Sequence, residues 1–130
     1  MLYLLVTLFA TAASAGAKTN SEVVVSLLPH PNWSDAKGSI AAAQASADSV
    51  QYIGCRIAVN LASGTPVRSL MCSARSAAGT YGSCSMTNPP QSIIDQITSL
   101  RETDILWFFW TPNNGMCMEV NVERGSAVTR

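Results

Sequence analysis

The stretch Met71-Cys-Ser-Ala-Arg-Ser-Ala-Ala-Gly-Thr-Tyr-Gly-Ser-Cys84 places two cysteines symmetrically about Ala78. Residues 77–79 suit a three-residue hairpin loop, in which a type I turn is followed by a glycine in the left-handed conformation. In that register Cys72 and Cys84 lie directly opposite each other on neighbouring strands, where Cα atoms are about 4.5–5.5 Å apart and a disulfide can form. The stretch therefore predicts a β-hairpin that a disulfide can clamp.

The four cysteines allow more than one pairing. A four-residue turn at residues 62–65 would also set Cys55 opposite Cys72, and Cys72 can have only one partner. We favour Cys72–Cys84, a clamp worth about 2–4 kcal/mol, together with Cys55–Cys117. The alternative is Cys55–Cys72 with Cys84–Cys117. Two disulfides are expected in either case, because four cysteines in an exported chain are normally paired.

Other uses of the cysteines fit the sequence less well. No two cysteines have the Cys-x-x-Cys spacing of a metal site, and the only histidine, His30, lies between two prolines far away in the sequence. A catalytic thiol would need a nearby base and a lowered pKa, which the sequence does not supply. We therefore expect no metal, no cofactor and no cysteine catalysis.

The first fifteen residues are typical of a secretory signal peptide. Residues 1–15 form an apolar run that ends in the small-x-small pattern Ala13-Ser-Ala15, although no Lys or Arg precedes it. The run is too short to span a membrane, and no later segment is long and apolar enough to do so. Cleavage is expected after Ala15, or alternatively after Ala17, and the mature protein is expected to be secreted or periplasmic.

The charge pattern excludes some partners. Eight basic and eight acidic side chains give a formal net charge of zero, and the six arginines are scattered singly, which is typical of solvated positions. Nucleic acid or an acidic membrane would require clustered Lys and Arg. The expected partner is therefore an unidentified protein or a glycan.

Residues 16–50 differ from the rest of the chain, and we treat them as an N-terminal arm. They contain a valine-rich run at residues 22–28, a turn-like segment at residues 29–33, and a stretch of small residues at residues 38–48. In the small-residue stretch alanine favours a helix, but the Ser, Asp and Gly residues argue equally for an extended segment or an ordered loop, so it receives no assignment. Residues 51–130 are predicted to form the disulfide-clamped domain.

That domain shows a clear order of elements. Strands are predicted at residues 51–60, 67–75 and 80–86, and two more at residues 105–110 and 116–122. A helix is predicted at residues 89–101 from an N-cap asparagine, proline in the first turn and an apolar face of Ile93, Ile94, Ile97 and Leu100. The predicted fold class is α+β, with a mainly antiparallel sheet of about five strands packed against one helix and stabilised by two disulfides.

The aromatic segment Leu106-Trp-Phe-Phe-Trp110 is apolar on both alternate faces, which predicts a central strand covered on each side. Because Trp107 and Trp110 are three residues apart, a regular strand points them to opposite faces. We expect Trp107 to pack against the predicted helix and Trp110 to be the more exposed. Trp110, Tyr81 and Trp107 are the candidate ligand contacts, since an exposed aromatic ring can stack on a sugar or pack against a protein.

The sequence resembles a group of small exported bacterial proteins of uncharacterised function that carry four similarly ordered cysteines. The resemblance covers roughly residues 38–128, and its most specific part is the Gln51-Tyr-Ile-Gly-Cys55 box followed by Cys72-Ser-Ala-Arg75. It implies a bacterial exported domain and carries no implication about catalysis.

The acidic residues offer little support for an enzyme. Asp95, Glu102 and Asp104 form the only acidic cluster, and a glycosidase would need two carboxylates held across a cleft. Helix-face and turn positions explain these residues better. The sequence thus favours a non-catalytic exported binding or structural protein. The alternatives are a carbohydrate-binding module that uses Trp107, Trp110 and Tyr81, and a small secreted hydrolase or protease inhibitor.

Overall fold

The computed structural model describes residues 22–30 and 32–124. The signal peptide expected at residues 1–15 lies outside these ranges. The described part of the chain forms seven strands and two helices: β1 Val24–His30, β2 Trp33–Ser39, α1 Ile40–Ala45, β3 Tyr52–Asn60, β4 Val67–Arg75, β5 Tyr81–Thr87, α2 Gln91–Thr98, β6 Ile105–Trp110 and β7 Cys117–Glu123. Neither helix has the length and apolar character that a membrane-spanning helix needs.

The strands form two antiparallel sheets instead of the single sheet of about five strands that the sequence predicted. One sheet has the order β1-β2-β6-β7 and the other has the order β3-β4-β5. The predicted strands and hairpins are present, but α2 carries the chain from β5 to β6 in the other sheet. There β6 pairs with β2, which comes from the segment expected to be an N-terminal arm. The described part of that segment therefore belongs to the same folded unit.

Small buried residues explain why β2 had no assignment. Its buried positions are Ser34, Ala36, Gly38 and Ser39, so the usual alternation of large apolar and polar residues is absent. Gly38 has no room for a side chain, because an added Cβ would lie 2.9 Å from the Val23 backbone. The helix α1 follows directly, and the Ser39 hydroxyl caps it by accepting a hydrogen bond from the Ala42 N–H at 3.0 Å.

Both predicted hairpin registers are present, but the preferred disulfide pairing is wrong. Cys72 lies opposite Cys84 on one side and opposite Cys55 on the other. The disulfides are Cys55–Cys72 and Cys84–Cys117, which is the alternative pairing. Neither disulfide clamps the β4–β5 hairpin.

Strand geometry accounts for this choice. In a central antiparallel strand, a residue that forms a close, non-hydrogen-bonded pair with one neighbour forms the wider, hydrogen-bonded pair with the other. The Cα atoms of Cys55 and Cys72 are 4.0 Å apart, which identifies them as the close pair. Cys84 forms the wider, hydrogen-bonded pair with Cys72, and it bonds instead to Cys117 on β7. This disulfide joins the two sheets.

The core lies between the two sheets, and Trp110 is part of it. The four-stranded sheet contributes Leu106, Phe108 and Trp110, which are 0%, 0% and 5% exposed. Trp110 packs against the backbone of Gly82 on β5, where an added Cβ would clash with Cη2 and Cζ2 of the Trp110 ring. Trp107 is half-buried on the opposite, solvent-facing side of β6. The two tryptophans do point to opposite faces, but the expectation that Trp107 is buried and Trp110 exposed is wrong.

The helix α2 is shorter than predicted. It runs from Gln91 to Thr98 and starts after Pro90, which provides no side-chain cap, whereas Asn88 has a positive φ of 50° and lies outside the helix. Its apolar face packs on the core through Ile97, with Ile93 and Leu100 partly buried beside it.

Asp104 is buried at the junction of α2, β6 and β7. It is 1% exposed and accepts hydrogen bonds from the Arg101 backbone N–H at 2.9 Å, the Arg101 guanidinium at 3.0 Å and Arg124 Nε at 3.1 Å. Arg124 Nη2 also donates to the carbonyl oxygens of Gln96 and Ser99 at the end of α2. Asp95 and Glu102 are exposed. The acidic cluster thus includes one buried carboxylate that holds three elements together.

The hydrogen bonds of Asp104 predict an acid-dependent stability. Burial by itself raises the pKa of Asp104, but hydrogen bonds from the Arg101 side chain and backbone, with the charges of Arg101 and Arg124, outweigh it and hold the pKa below its ordinary value of 3.8. A lowered folded-state pKa stabilises the fold above the unfolded-state pKa, and this stabilisation is lost as the pH falls through the folded-state pKa. Asp104→Asn should therefore lower the free energy of unfolding at pH 7, and the difference from the wild type should shrink below about pH 4.

Urea unfolding at pH 7, 5, 4 and 3 would measure this difference. Both the wild type and Asp104→Asn retain a second acid-sensitive group, Asp48. Hydrogen bonds from the Gln51 side chain, the Gln51 backbone and the Val50 backbone lower the pKa of Asp48 to about 2. An Asp104→Asn curve parallel to that of the wild type from pH 7 to pH 3 would contradict the role of Asp104.

Candidate functional site

The three side chains predicted to contact a ligand lie in three separate places, one in the core and one on each outer face. Trp110 is in the core at 5% exposure. Trp107 lies on the outer face of the four-stranded sheet, and Tyr81 lies on the outer face of the three-stranded sheet. They cannot form one binding site, so each outer face has to be considered separately.

The outer face of the four-stranded sheet carries three half-buried rings, Trp33, Trp107 and Phe109. The Phe109 ring lies 4.9 Å from Trp33 at an interplanar angle of 63°, and 4.7 Å from Trp107 at an angle of 39°. A depression of about 190 Å³ lies between Trp33, Phe109, Met118 and Glu119. We call this surface the aromatic face. The contribution of Trp33 was missed because β2 was not recognised as a strand.

Side chains of the aromatic face bind largely to one another. Trp107 Nε1 donates to Asp35 Oδ2 at 2.9 Å. The ammonium group of Lys37 lies 4.4 Å from the centre of the Trp107 ring and 2.8 Å from a carboxylate oxygen of Glu123. Such cross-strand pairs stabilise a sheet. Because the rings are tilted relative to one another and the polar groups beside them are already paired, this face does not present the flat, open platform on which a sugar ring stacks.

The outer face of the three-stranded sheet has a different shape. A depression of about 440 Å³ lies there, and we call it the trough. Its lining residues are Gly54, Cys55, Arg56, Met71, Cys72, Ser73, Tyr81 and Ser83.

Strand register explains the shape of the trough. Gly54, Ser73 and Ser83 lie side by side across β3, β4 and β5. These small residues form a low floor, and an added Cβ at Gly54 would meet no atom within 4 Å. The neighbouring rows on the same face hold Tyr52, Arg75 and Tyr81 on one side and Arg56, Met71 and Ser85 on the other. Of these, Tyr81 on one side and Arg56 and Met71 on the other line the trough and form its walls, and Arg75 lies in the row of Tyr81.

The floor of the trough rests on a cross-linked part of the sheet. Side chains alternate along β4, so Met71 and Ser73 face the trough while Leu70, Cys72 and Ala74 face the core. Cys72 bonds to Cys55 directly beneath the floor and links β4 to β3 covalently. The arrangement keeps the two strands in a fixed relation, which favours a pre-formed binding surface.

The trough is electrostatically positive. The strands β3, β4 and β5 contain no Asp or Glu, and the outer face carries Arg56 and Arg75, both exposed. Arg56 Nη2 lies 3.3 Å from Met71 Sδ, and Arg75 Cζ lies 5.8 Å from the centre of the Tyr81 ring. Within residues 22–30 and 32–124, neither guanidinium group forms an ion pair with a carboxylate. Both cations are therefore available to an anionic ligand.

The chemistry of the trough is that of binding. Its hydroxyl groups, from Ser73, Ser83 and Tyr81, can donate and accept hydrogen bonds. None of its lining residues is an Asp, Glu, His or Lys. These hydroxyls, together with the Arg56 guanidinium group, can hold a polar or anionic ligand.

The cysteine sulfurs form the only potential metal cluster found among the described residues. The Sγ atoms of Cys72, Cys84 and Cys117 lie within 4.8 Å of one another. All three atoms belong to disulfides, and a metal ligand would have to be a thiolate. In the oxidised protein these sulfurs serve to cross-link the strands.

Comparisons of the chain with protein-family models, with curated proteins and with solved structures find no match. A function therefore has to be inferred from the fold and from the geometry of the two outer faces.

Proposed function

We propose that this protein is a non-catalytic binding domain that acts outside the bacterial cytoplasm and holds a small ligand in the trough. The observation that carries the proposal is the trough itself, with its floor of Gly54, Ser73 and Ser83 between walls of long side chains. A site of this size, with exposed aromatic and cationic groups beside several hydroxyls, matches the general character of small-ligand sites.

Two features support action outside the cytoplasm. The described residues contain two disulfides and no free cysteine, which is typical of proteins from oxidising compartments. The N-terminal pattern that ends at Ala15 is typical of an export signal. The resemblance to small exported bacterial four-cysteine proteins is consistent with both features.

The trough is a better candidate than the aromatic face because its polar groups are less engaged. On the aromatic face Asp35, Lys37 and Glu123 already have partners within the protein. At the trough, the Arg56 guanidinium group contacts the Met71 thioether and that of Arg75 lies near the Tyr81 ring, and among the described residues neither forms an ion pair. A ligand at the trough can therefore form charged hydrogen bonds without breaking existing ion pairs.

Filling the trough should weaken ligand binding strongly. The disulfide-bonded protein would be screened by thermal shift against saccharides, organic acids and nucleotides, and each hit would be measured by calorimetry. We expect Ser73→Phe, which fills the floor, to weaken the binding of every true ligand at least tenfold. Ser69→Phe is the matched control, since Ser69 lies on the same face of β4 but outside the trough.

Either of two outcomes would contradict the proposal. In the first, none of the compounds binds the folded wild-type protein. In the second, ligands bind equally well to the wild type and to Ser73→Phe while both proteins melt normally.

A further inference from the structure

We infer that the ligand of the trough is an acidic carbohydrate, in which a pyranose ring carries a carboxylate or a sulfate group. The inference rests on the proposed function and names the chemical class of the ligand. The sugar ring would contact Tyr81 over the floor of the trough, and its anionic groups would bind Arg56 and Arg75.

The two arginines favour an anion over a neutral ligand. The guanidinium group presents a planar fork of N–H donors that matches a carboxylate or sulfate group, and it remains charged at all physiological pH values. Arg56 and Arg75 share a face that carries no acidic residue, so their fields add. A neutral ligand would leave both cations without a counter-charge.

The spacing of the arginines favours more than one sugar unit. Arg56 lies opposite Met71 on β4, and Met71 and Arg75 are four residues apart along that strand. The two arginines are therefore separated by two outward-facing rows of the sheet. Four residues along a strand span about 14 Å. The backbone positions of the two arginines are therefore farther apart than a single pyranose ring is long. An oligosaccharide with an acidic group on successive or alternate units could contact both.

The remaining groups suit a sugar ring better than a simple anion. Tyr81, at one wall, and Tyr52, in the same row, are 47% and 39% exposed, and an aromatic ring packs well against the apolar C–H face of a pyranose. The hydroxyls of Ser73 and Ser83 lie in the floor next to them and can exchange hydrogen bonds with sugar hydroxyls. Inorganic sulfate or phosphate could accept hydrogen bonds from the serine hydroxyls but would make no use of the aromatic rings.

Matched saccharides would test the charge requirement by calorimetry on the disulfide-bonded protein. A tetramer of galacturonate would be compared with its methyl ester, which has the same ring and no charge, and with a sulfated tetrasaccharide and inorganic sulfate. We expect at least one acidic oligosaccharide to bind at least tenfold more tightly than the uncharged ester, with an affinity that falls as salt rises. Preference for the uronate or for the sulfated sugar identifies which anion the site takes.

Arginine variants test the assignment of the site. Arg56→Gln and Arg75→Gln should each weaken binding of the acidic sugar about tenfold and leave the ester unchanged. Arg68→Gln is the matched control, because Arg68 lies on β4 like Arg75 but donates a hydrogen bond to Gln91 on the other side of the sheet. Tyr81→Ala should weaken binding of the charged and uncharged sugars alike.

The outcomes separate this inference from the proposed function. If the ester and the acid bind equally, or if Arg56→Gln and Arg75→Gln bind as the wild type does, the ligand is not acidic, although the trough remains a binding site. If inorganic sulfate binds as tightly as the oligosaccharides, the site is a simple anion site and the carbohydrate assignment is overturned. If ligands are found but Ser73→Phe does not affect them, the proposed function itself fails.

Discussion

Replacing Trp110 by alanine should lower the free energy of unfolding by about 3–5 kcal/mol, the range typical of a large aromatic residue lost from a core. Trp110 is 5% exposed and its ring lies 5.6 Å from that of Phe108. The ring also packs against Gly82, which has no side chain that could move into the space left behind. The cavity would therefore remain largely unfilled.

Trp107→Ala provides the comparison within the same strand. Trp107 is half-buried, and its removal costs one hydrogen bond to Asp35 and the contacts with Lys37 and the Phe109 ring. We expect a smaller loss of about 1–2 kcal/mol. Urea unfolding followed by far-ultraviolet circular dichroism would measure both variants without relying on tryptophan fluorescence. Equal losses, or a larger loss for Trp107→Ala, would contradict the assignment of Trp110 to the core.

The wrong assignment of the two tryptophans shows what a strand pattern can establish. The spacing of Trp107 and Trp110 correctly predicts opposite faces, because side chains alternate along any regular strand. Which face meets the core depends on the partners of β6. These include β2, whose buried residues are small because the neighbouring backbones and rings leave little space. A strand with serine, alanine and glycine at its buried positions has no apolar period by which it could be recognised.

The trough was only partly predictable for a related reason. Tyr81 was recognised as a candidate contact, whereas Arg56 and Arg75 were interpreted as solvated positions because they lie far apart in the sequence. The hairpin registers place both arginines on one face and align Gly54 with Ser73 and Ser83. Those registers follow from the glycine loops at Gly64 and Gly79, both with positive φ. The hairpins could thus be predicted, but a site spread over three strands became visible only when the strands were aligned.

The two disulfides should contribute differently to stability, because they close loops of different length and join different elements. Cys84–Cys117 spans 33 residues and connects the two sheets, while Cys55–Cys72 spans 17 residues within one hairpin. The chain-entropy relation assigns about 4 kcal/mol to the longer loop and about 3 kcal/mol to the shorter one. Replacing both Cys84 and Cys117 by alanine should therefore destabilise the protein more than replacing both Cys55 and Cys72.

Which of the two double cysteine variants loses more stability also tests the two-sheet architecture. When Cys55 and Cys72 are replaced, the β3–β4 hairpin keeps its full ladder of backbone pairs, and these pairs limit the loss of stability. Between the sheets, the described residues form no ladder of comparable length: apart from Cys84–Cys117, the sheets are held together by core packing and by the isolated bridge between Ser85 and Met116, the residue before β7. Urea unfolding of both double variants would measure the order, and peptide mapping of the wild type under non-reducing conditions would identify the pairs. A Cys72–Cys84 peptide, or a greater loss on removing the pair within the hairpin, would contradict this account, because the sheets would then not depend on the bond that joins them.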